Sequence, residues 1–294
     1  MPDGVRARLD GGLIPAVPVP FRGTTLAADA QRAYAAWMAG QDVAGVAVWA
    51  HTGRGPHLTA VQRREVLTTW RAALPAKVIV AGAASVEMAR EARDLGADAL
   101  LAFPRADDPV AFHGSLGEVL PVIAFHLYER AGGVPYDDAV LDRLLSLPAV
   151  IGIKVATLDS VMTFQRIADL TATHPDRLLI TGEDRFLGCS LTMGARAALI
   201  GMGAAVTGVQ AALLAAHREG DWARFVPLGA VCDRFARATF GEPMEGYIRR
   251  MLWAAAAEGA IPDDACDDPW GPPLAPNGRD AVRRAVRDAR AAGA

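Results

Sequence analysis

Eight short apolar runs, at residues 13–19, 45–50, 77–81, 99–103, 122–127, 150–155, 178–181 and 197–201, alternate with longer segments of helical period. The helical segments lie near residues 27–39, 60–73, 86–95, 109–119, 137–145, 160–171, 185–193 and 204–219, and no linker-like break interrupts them. Such alternation implies parallel strands joined by crossover helices. Eight βα units in one uninterrupted stretch fit a closed (β/α)₈ TIM barrel better than an open doubly wound sheet. No Gly-x-Gly-x-x-Gly turn opens the first helix, so a dinucleotide fold has only the alternation in its favour. Residues such as Thr59, Ser85 and Asp159 stand where N-caps would start three of the helices.

After residue 220 the strand pattern stops and helical patterns continue, at 221–240, 243–258 and 280–292. We therefore divide the chain into a barrel, residues 1–220, and a C-terminal helical extension, residues 221–294, packed on it. The extension is expected to cover an apolar face or make a subunit contact, and carries no assigned chemistry.

Composition narrows the function classes. A hydrophobic content of 52% suffices for a large core, while a net charge of −3 lacks the basic excess of a nucleic-acid binder. The N-terminal residues do not form a basic segment followed by a long apolar one, and no uncharged apolar stretch approaches the roughly 18 residues of a membrane span. These features predict a cytoplasmic protein with neither nucleic acid nor membrane as partner. Cys189, Cys232 and Cys266 are odd in number and widely spaced, which suits reduced thiols better than disulfides or a zinc site.

Among 30 basic residues only Lys77 and Lys154 are lysines. Lys77 opens an apolar run, where it can extend to water. Lys154 sits near the end of Ala149-Val150-Ile151-Gly152-Ile153-Lys154-Val155, the composition of a strand buried on both faces. Burial disfavours the charged ammonium and yields the neutral, nucleophilic amine that a Schiff base requires. The alternative is a lysine paired with a buried carboxylate.

In a (β/α)₈ barrel, function resides at the C-terminal ends of the strands. Those ends offer Lys154, Tyr128 and Arg130, His51 and Thr52, Pro104 and Arg105, and Glu183 and Asp184. Strict alternation predicts that His126 shares a face with Tyr128, and that Val150 and Gly152 share one with Lys154, with Gly152 leaving space beside the lysine stem. A phenol at Tyr128 can relay protons to an imine. His51 reads either as an acid/base near neutral pH or as a loop histidine bonded to backbone. Arg54 and Arg130 can each hold a substrate carboxylate or form an ion pair. His57, His113, His174 and His217 show no metal-ligand spacing, the end of the first strand offers no ligand, and His-x-His does not occur. We expect neither a metal nor an added cofactor.

The order His51-Thr52-Gly53, Leu127-Tyr128, Ile151-Gly152-Ile153-Lys154, Thr181-Gly182-Glu183-Asp184 resembles the dihydrodipicolinate synthase/N-acetylneuraminate lyase family of pyruvate-handling class I aldolases. The resemblance extends from Leu13 to Leu274. It implies a (β/α)₈ barrel, Lys154 as the imine lysine, Tyr128 as the proton-transfer tyrosine, and a homotetramer. It also implies that the backbone amides of the loop at Ala50-His51-Thr52-Gly53-Arg54 hold the carboxylate of a 2-oxo acid, and that Ile200-Gly201 lines the pocket. The chain departs from the family pattern at His51, where a hydroxyl residue is usual, at Arg54, where an acid is usual, and at Pro104-Arg105-Ala106, which lacks a tyrosine. Tyr128-Glu129-Arg130 is closer to the Tyr-Asn-Arg form of sugar-acid dehydratases. The resemblance thus implies a Schiff-base lyase acting on pyruvate or a related 2-oxo acid. A keto-deoxy sugar acid dehydratase using the same imine, or a non-catalytic keto-acid binder, are the alternatives.

Overall fold

The computed structural model describes residues 2–158, 160–275 and 277–293. Eight parallel strands, β1 (Leu13–Pro15), β2 (Gly45–Val48), β3 (Val78–Ala83), β4 (Ala99–Ala102), β5 (Val122–Leu127), β6 (Val150–Ala156), β7 (Leu178–Thr181) and β8 (Ala197–Ile200), pair in sequence order, and β8 returns to pair with β1. The bridge between Ala16 and Ala47, with the Val17 amide donating to the Ala47 carbonyl, closes β1 onto β2. The fold is therefore the (β/α)₈ TIM barrel, with helices continuing beyond it. The first strand is shorter than the apolar run at 13–19 suggests. Pro18 and Pro20 carry no amide hydrogen, so the ladder cannot extend through them.

The outer face of the barrel is covered by α2 (Ala28–Ala39), α3 (Ala60–Ala73), α4 (Val86–Asp94), α5 (Pro109–Gly117), α6 (Asp138–Ser146), α7 (Val161–Ala172), α8 (Leu187–Thr192) and α9 (Thr207–Glu219). An additional helix, α1 (Pro2–Leu9), precedes β1. Its fully buried Leu9 joins the cluster inside the barrel, with Val5 packed alongside. Only one of its eight residues is buried, so no amphipathic period marked it in the sequence. Thr59 forms a capping box with Gln62, and the Ser85 hydroxyl accepts from the Met88 amide, as expected of N-caps. Asp159 lies outside the described residues, and α7 is capped by Ser160.

Inward-facing side chains fill the barrel, among them Ile14, Ala47, Val80, Leu101, Phe125 and Ile180. The expected alternation on β6 holds only in its C-terminal half. Where β5 meets β6, Val122 pairs with Val150 but Ile123 pairs with Gly152, so Ile151 is an extra residue. The bulge turns Val150 to the outer cluster, while Ile151 and Ala156 face the interior on either side of Lys154. Gly152 permits close strand approach rather than space for the lysine: a Cβ there would lie 2.4 Å from the Leu178 carbonyl oxygen of β7.

Beyond the barrel, α10 (Trp222–Thr239), α11 (Tyr247–Ala257) and α12 (Gly278–Gly293) pack together, and Val282, Val286 and Ala289 of α12 are buried. A 3₁₀ turn at Met244–Gly246 connects α10 to α11. Among the described residues, no helix is long and apolar enough to cross a membrane.

Gly152→Ala should force β6 and β7 apart and destabilise the fold by about 1–3 kcal/mol, the usual cost of overpacking. Urea unfolding would register this as a lower midpoint, and an unchanged midpoint would contradict the close approach.

Candidate active site

Lys154 points into the barrel near its C-terminal mouth, 5% exposed, with its Nζ 4.2 Å from the centroid of the Phe125 ring. Gly182, at the end of β7, makes room for its stem: a Cβ there would lie 2.7 Å from the lysine Cε. Among the described residues, the amine has no hydrogen-bond partner and no carboxylate oxygen within 4.0 Å. Burial pulls its pKa from 10.5 down to about 8, with the charges of Asp184 and Glu183 opposing that pull. The same burial pushes Asp184 well above an ordinary aspartate, although its carboxylate accepts from the Met202 amide at 2.6 Å. Lysine and aspartate are thus both moved toward their neutral forms.

Glu183 has a different task. Its carboxylate accepts from the Thr157 amide at 2.6 Å, the Thr157 hydroxyl at 2.9 Å and the Leu158 amide at 2.8 Å, fixing the chain where it leaves β6. Burial raises its pKa to about 7, against the lowering effect of these hydrogen bonds.

A cavity of about 20 Å³ adjoins the lysine, lined by His51, Thr52, Phe125, Tyr128, Lys154 and Tyr247, among others. Tyr128 follows β5 directly, and its hydroxyl donates to Glu245 Oε1 at 2.5 Å. The other oxygen of Glu245 lies 2.9 Å from His51 Nε2. Burial works to raise the Glu245 pKa, but the bonds to His51 and Tyr128 and the nearby Arg54 charge outweigh it and hold the carboxyl below its ordinary value. Thr52 Oγ1 and the Tyr247 hydroxyl are 2.9 Å apart. Gly201, at the end of β8, borders this pair, since a Cβ there would come within 3.0 Å of the Tyr247 ring. Tyr247 in turn stacks on Phe240, with ring centroids 4.6 Å apart. Glu245 and Tyr247 come from the region to which we assigned no chemistry.

The model of the dihydrodipicolinate synthetase family matches residues 10–289, nearly the whole chain. The chain belongs to the dihydrodipicolinate synthetase family. It is 29% identical over 189 residues to the 4-hydroxy-tetrahydrodipicolinate synthase of Roseobacter denitrificans, covering 59% of this chain and 63% of that protein's length. It is 25% identical over 292 residues to the enzyme of the same name from Rhodospirillum centenum, covering 94% and 97% of the two chains. Among solved structures, the Ruminococcus gnavus sialic acid aldolase shares the fold with a TM-score of 0.84 at 17% identity, over 97% of this chain and 98% of that one.

Of the residues singled out from the sequence of this family member, Lys154, Tyr128, His51, Thr52 and Gly201 meet at one cavity. Gly53 lies buried beside Thr52 in the same loop. Among the described residues, neither the Thr52 nor the Gly53 amide has a hydrogen-bond acceptor. Arg54 is turned away from the lysine: its Nε and Nη2 donate to the Asp268 carboxylate at 3.1 and 2.7 Å, and its Nη1 is 3.6 Å from Glu245. Arg130 is largely exposed and paired with Glu242 at 3.4 Å, outside the cavity. Ile200 directs its side chain into the outer cluster. His126 and Tyr128 border one groove outside the barrel, but only Tyr128 also lines the interior cavity. His126 faces the Arg166 side of the barrel wall, where burial and then that charge lower its pKa to about 4. The strand ends at Leu127, so the alternation that governs His126 no longer governs Tyr128.

Competitive labelling of Lys154 by a small acylating reagent, followed by mass spectrometry, should accelerate with pH around a midpoint near 8. Asp184→Asn removes a charge that favours the ammonium, so the midpoint should move lower. A wild-type midpoint at the ordinary lysine value, or an upward move in the variant, would contradict this electrostatic account.

Proposed function

We propose that this protein is a lyase that forms a Schiff base between Lys154 and pyruvate or a related 2-oxo acid, and makes or breaks a carbon–carbon bond through it. The observation carrying this reading is a buried amine with no ionic partner among the described residues, sharing a small cavity with a tyrosine hydroxyl at the C-terminal mouth of the barrel. Family membership supports the lyase class. The names of the relatives support pyruvate-type aldolase chemistry, which remains our inference for this chain.

The neutral amine of Lys154 attacks the keto carbon, and the resulting carbinolamine loses water to give a protonated imine. The imine nitrogen then accepts the electron pair released when a bond to the adjacent carbon breaks. Tyr128 moves protons to and from the reacting atoms, and His51 supports that transfer. The Thr52 and Gly53 amides are suited to the 2-oxo acid's carboxylate, since no protein acceptor among the described residues engages them, and Gly201 lets Thr52 pack close, a Cβ there lying 3.2 Å from Thr52 Oγ1. This reading assigns no direct part to Arg54, Arg130 or Ile200, which are engaged outside the cavity. In the cell, we expect the protein to act in the cytoplasm as a homotetramer, for which sedimentation at micromolar concentration is the test.

Dehydration of a keto-deoxy sugar acid through the same imine is the second reading, favoured by the Tyr128-Glu129-Arg130 sequence after β5. Assaying cleavage and water loss on a panel of 2-oxo sugar acids separates the two. A trapped imine without turnover of any of them would indicate a keto-acid binder.

Incubation with pyruvate and borohydride should add one reduced pyruvyl group at Lys154. Lys154→Arg keeps the charge and lacks the nucleophilic amine, so it should remain folded and lose the adduct. Tyr128→Phe should slow turnover by roughly 10²–10⁴, as expected for loss of an acid/base group. An adduct at Lys77, or full activity in Lys154→Arg, would overturn the mechanism.

A further inference from the structure

Enamine formation from a pyruvyl imine requires a group near Lys154 that takes a proton from carbon and later returns it. Tyr128 has the position, but its hydroxyl hydrogen already points at Glu245 Oε1, 2.5 Å away. What its oxygen presents to the cavity is therefore lone pairs. Burial, together with the neighbouring Tyr247 and Glu245, raises the phenol above its ordinary pKa and so disfavours a phenolate as the base. The phenol can accept a proton only by releasing its own in the same motion. Glu245 is the acceptor in contact.

We propose that Glu245 is the proton store of the site and that Tyr128 is the relay to it, an assignment that rests on the imine reading above. In the step, a C3–H bond of the pyruvyl imine breaks. Its electron pair becomes the C2–C3 double bond, while the π pair of the C=N bond moves to nitrogen. The carbon's proton lands on the phenolic oxygen, and the phenolic proton passes to Glu245 Oε1. Reversal returns a proton to carbon.

The surroundings of Glu245 suit this task. It lies 2.9 Å from His51 Nε2 and 3.6 Å from Arg54 Nη1, both on the loop after β2. Tyr128 approaches from the end of β5, Tyr247 from the start of α11, and Asp268 lies beyond Arg54. His51 and Arg54 favour the carboxylate, so the store starts empty. The turn that carries Glu245 is held by buried Arg250, which donates to the carbonyls of Thr239, Gly241, Glu242 and Pro243 at 2.8–3.3 Å. A guanidinium that ties four carbonyls of one turn fixes where the carboxylate stands.

The test uses pyruvate in D₂O with the methyl protons followed by NMR, alongside borohydride trapping, in wild type, Glu245→Gln and Glu245→Ala. Glutamine keeps the shape and a hydrogen-bond acceptor but cannot store the proton. Glu245→Gln should trap pyruvate at Lys154 with wild-type stoichiometry, which also reports that the site is folded. Its methyl exchange should be slower by roughly 10²–10⁴. Added formate, a small carboxylate, should restore part of the exchange to Glu245→Ala. Exchange in Glu245→Gln within an order of magnitude of wild type would overturn the proposal, as would loss of trapping in that variant while wild type still traps. Absence of trapping in wild type would instead overturn the imine reading and remove the ground of this one.

Discussion

The site depends on an amine held in the barrel interior with no ion pair among the described residues. Moving Lys154 from 10.5 to about 8 corresponds to roughly 3 kcal/mol of added preference for the neutral form. A carboxylate in direct contact would cancel that preference and produce an inert salt bridge. Asp184 is near enough to influence the amine but has no oxygen within 4.0 Å of it, and its own hydrogen bond goes to the Met202 amide. The amine is thus kept toward its neutral form by separation as much as by burial. Gly182 leaves room for the lysine stem, a Cβ there lying 2.7 Å from its Cε.

Around the amine, the barrel and the following helices supply different parts. β6 provides the amine, the end of β5 the phenol, and the loop after β2 the imidazole and two amides with no acceptor among the described residues. The turn between α10 and α11 adds Glu245, which joins the phenol to the imidazole. Arg54, adjacent to the cavity loop, is engaged by the nearly fully buried Asp268. Breaking a buried pair of this kind leaves one charge without compensation and costs several kcal/mol. The region after residue 220 therefore shapes the cavity as well as the packing.

The eight strands were legible because each is a short apolar run, and the runs at 122–127 and 178–181 coincide with β5 and β7 to the residue. Lys154 was legible for the same reason, as a lone ammonium in such a run. Face assignments failed where a strand departs from period two: the bulge at Ile151 turned Val150 outward, and the end of β5 freed Tyr128 from the pattern of His126. Arg54 could not be placed because its partner Asp268 is 214 residues away. Glu245 was hidden further, in a short turn between helices whose sequence shows one charge among many. Only the closure of the chain over the barrel mouth gives it a meaning.

The most direct measurement is a crystal structure of the protein soaked with pyruvate. The account predicts continuous density from Lys154 Nζ to the keto carbon, with the substrate carboxylate on the Thr52 and Gly53 amides and the Tyr128 oxygen within hydrogen-bond reach of the bound group. Unreacted pyruvate at the mouth beside an unmodified Lys154, at a pH where the amine is neutral, would contradict it.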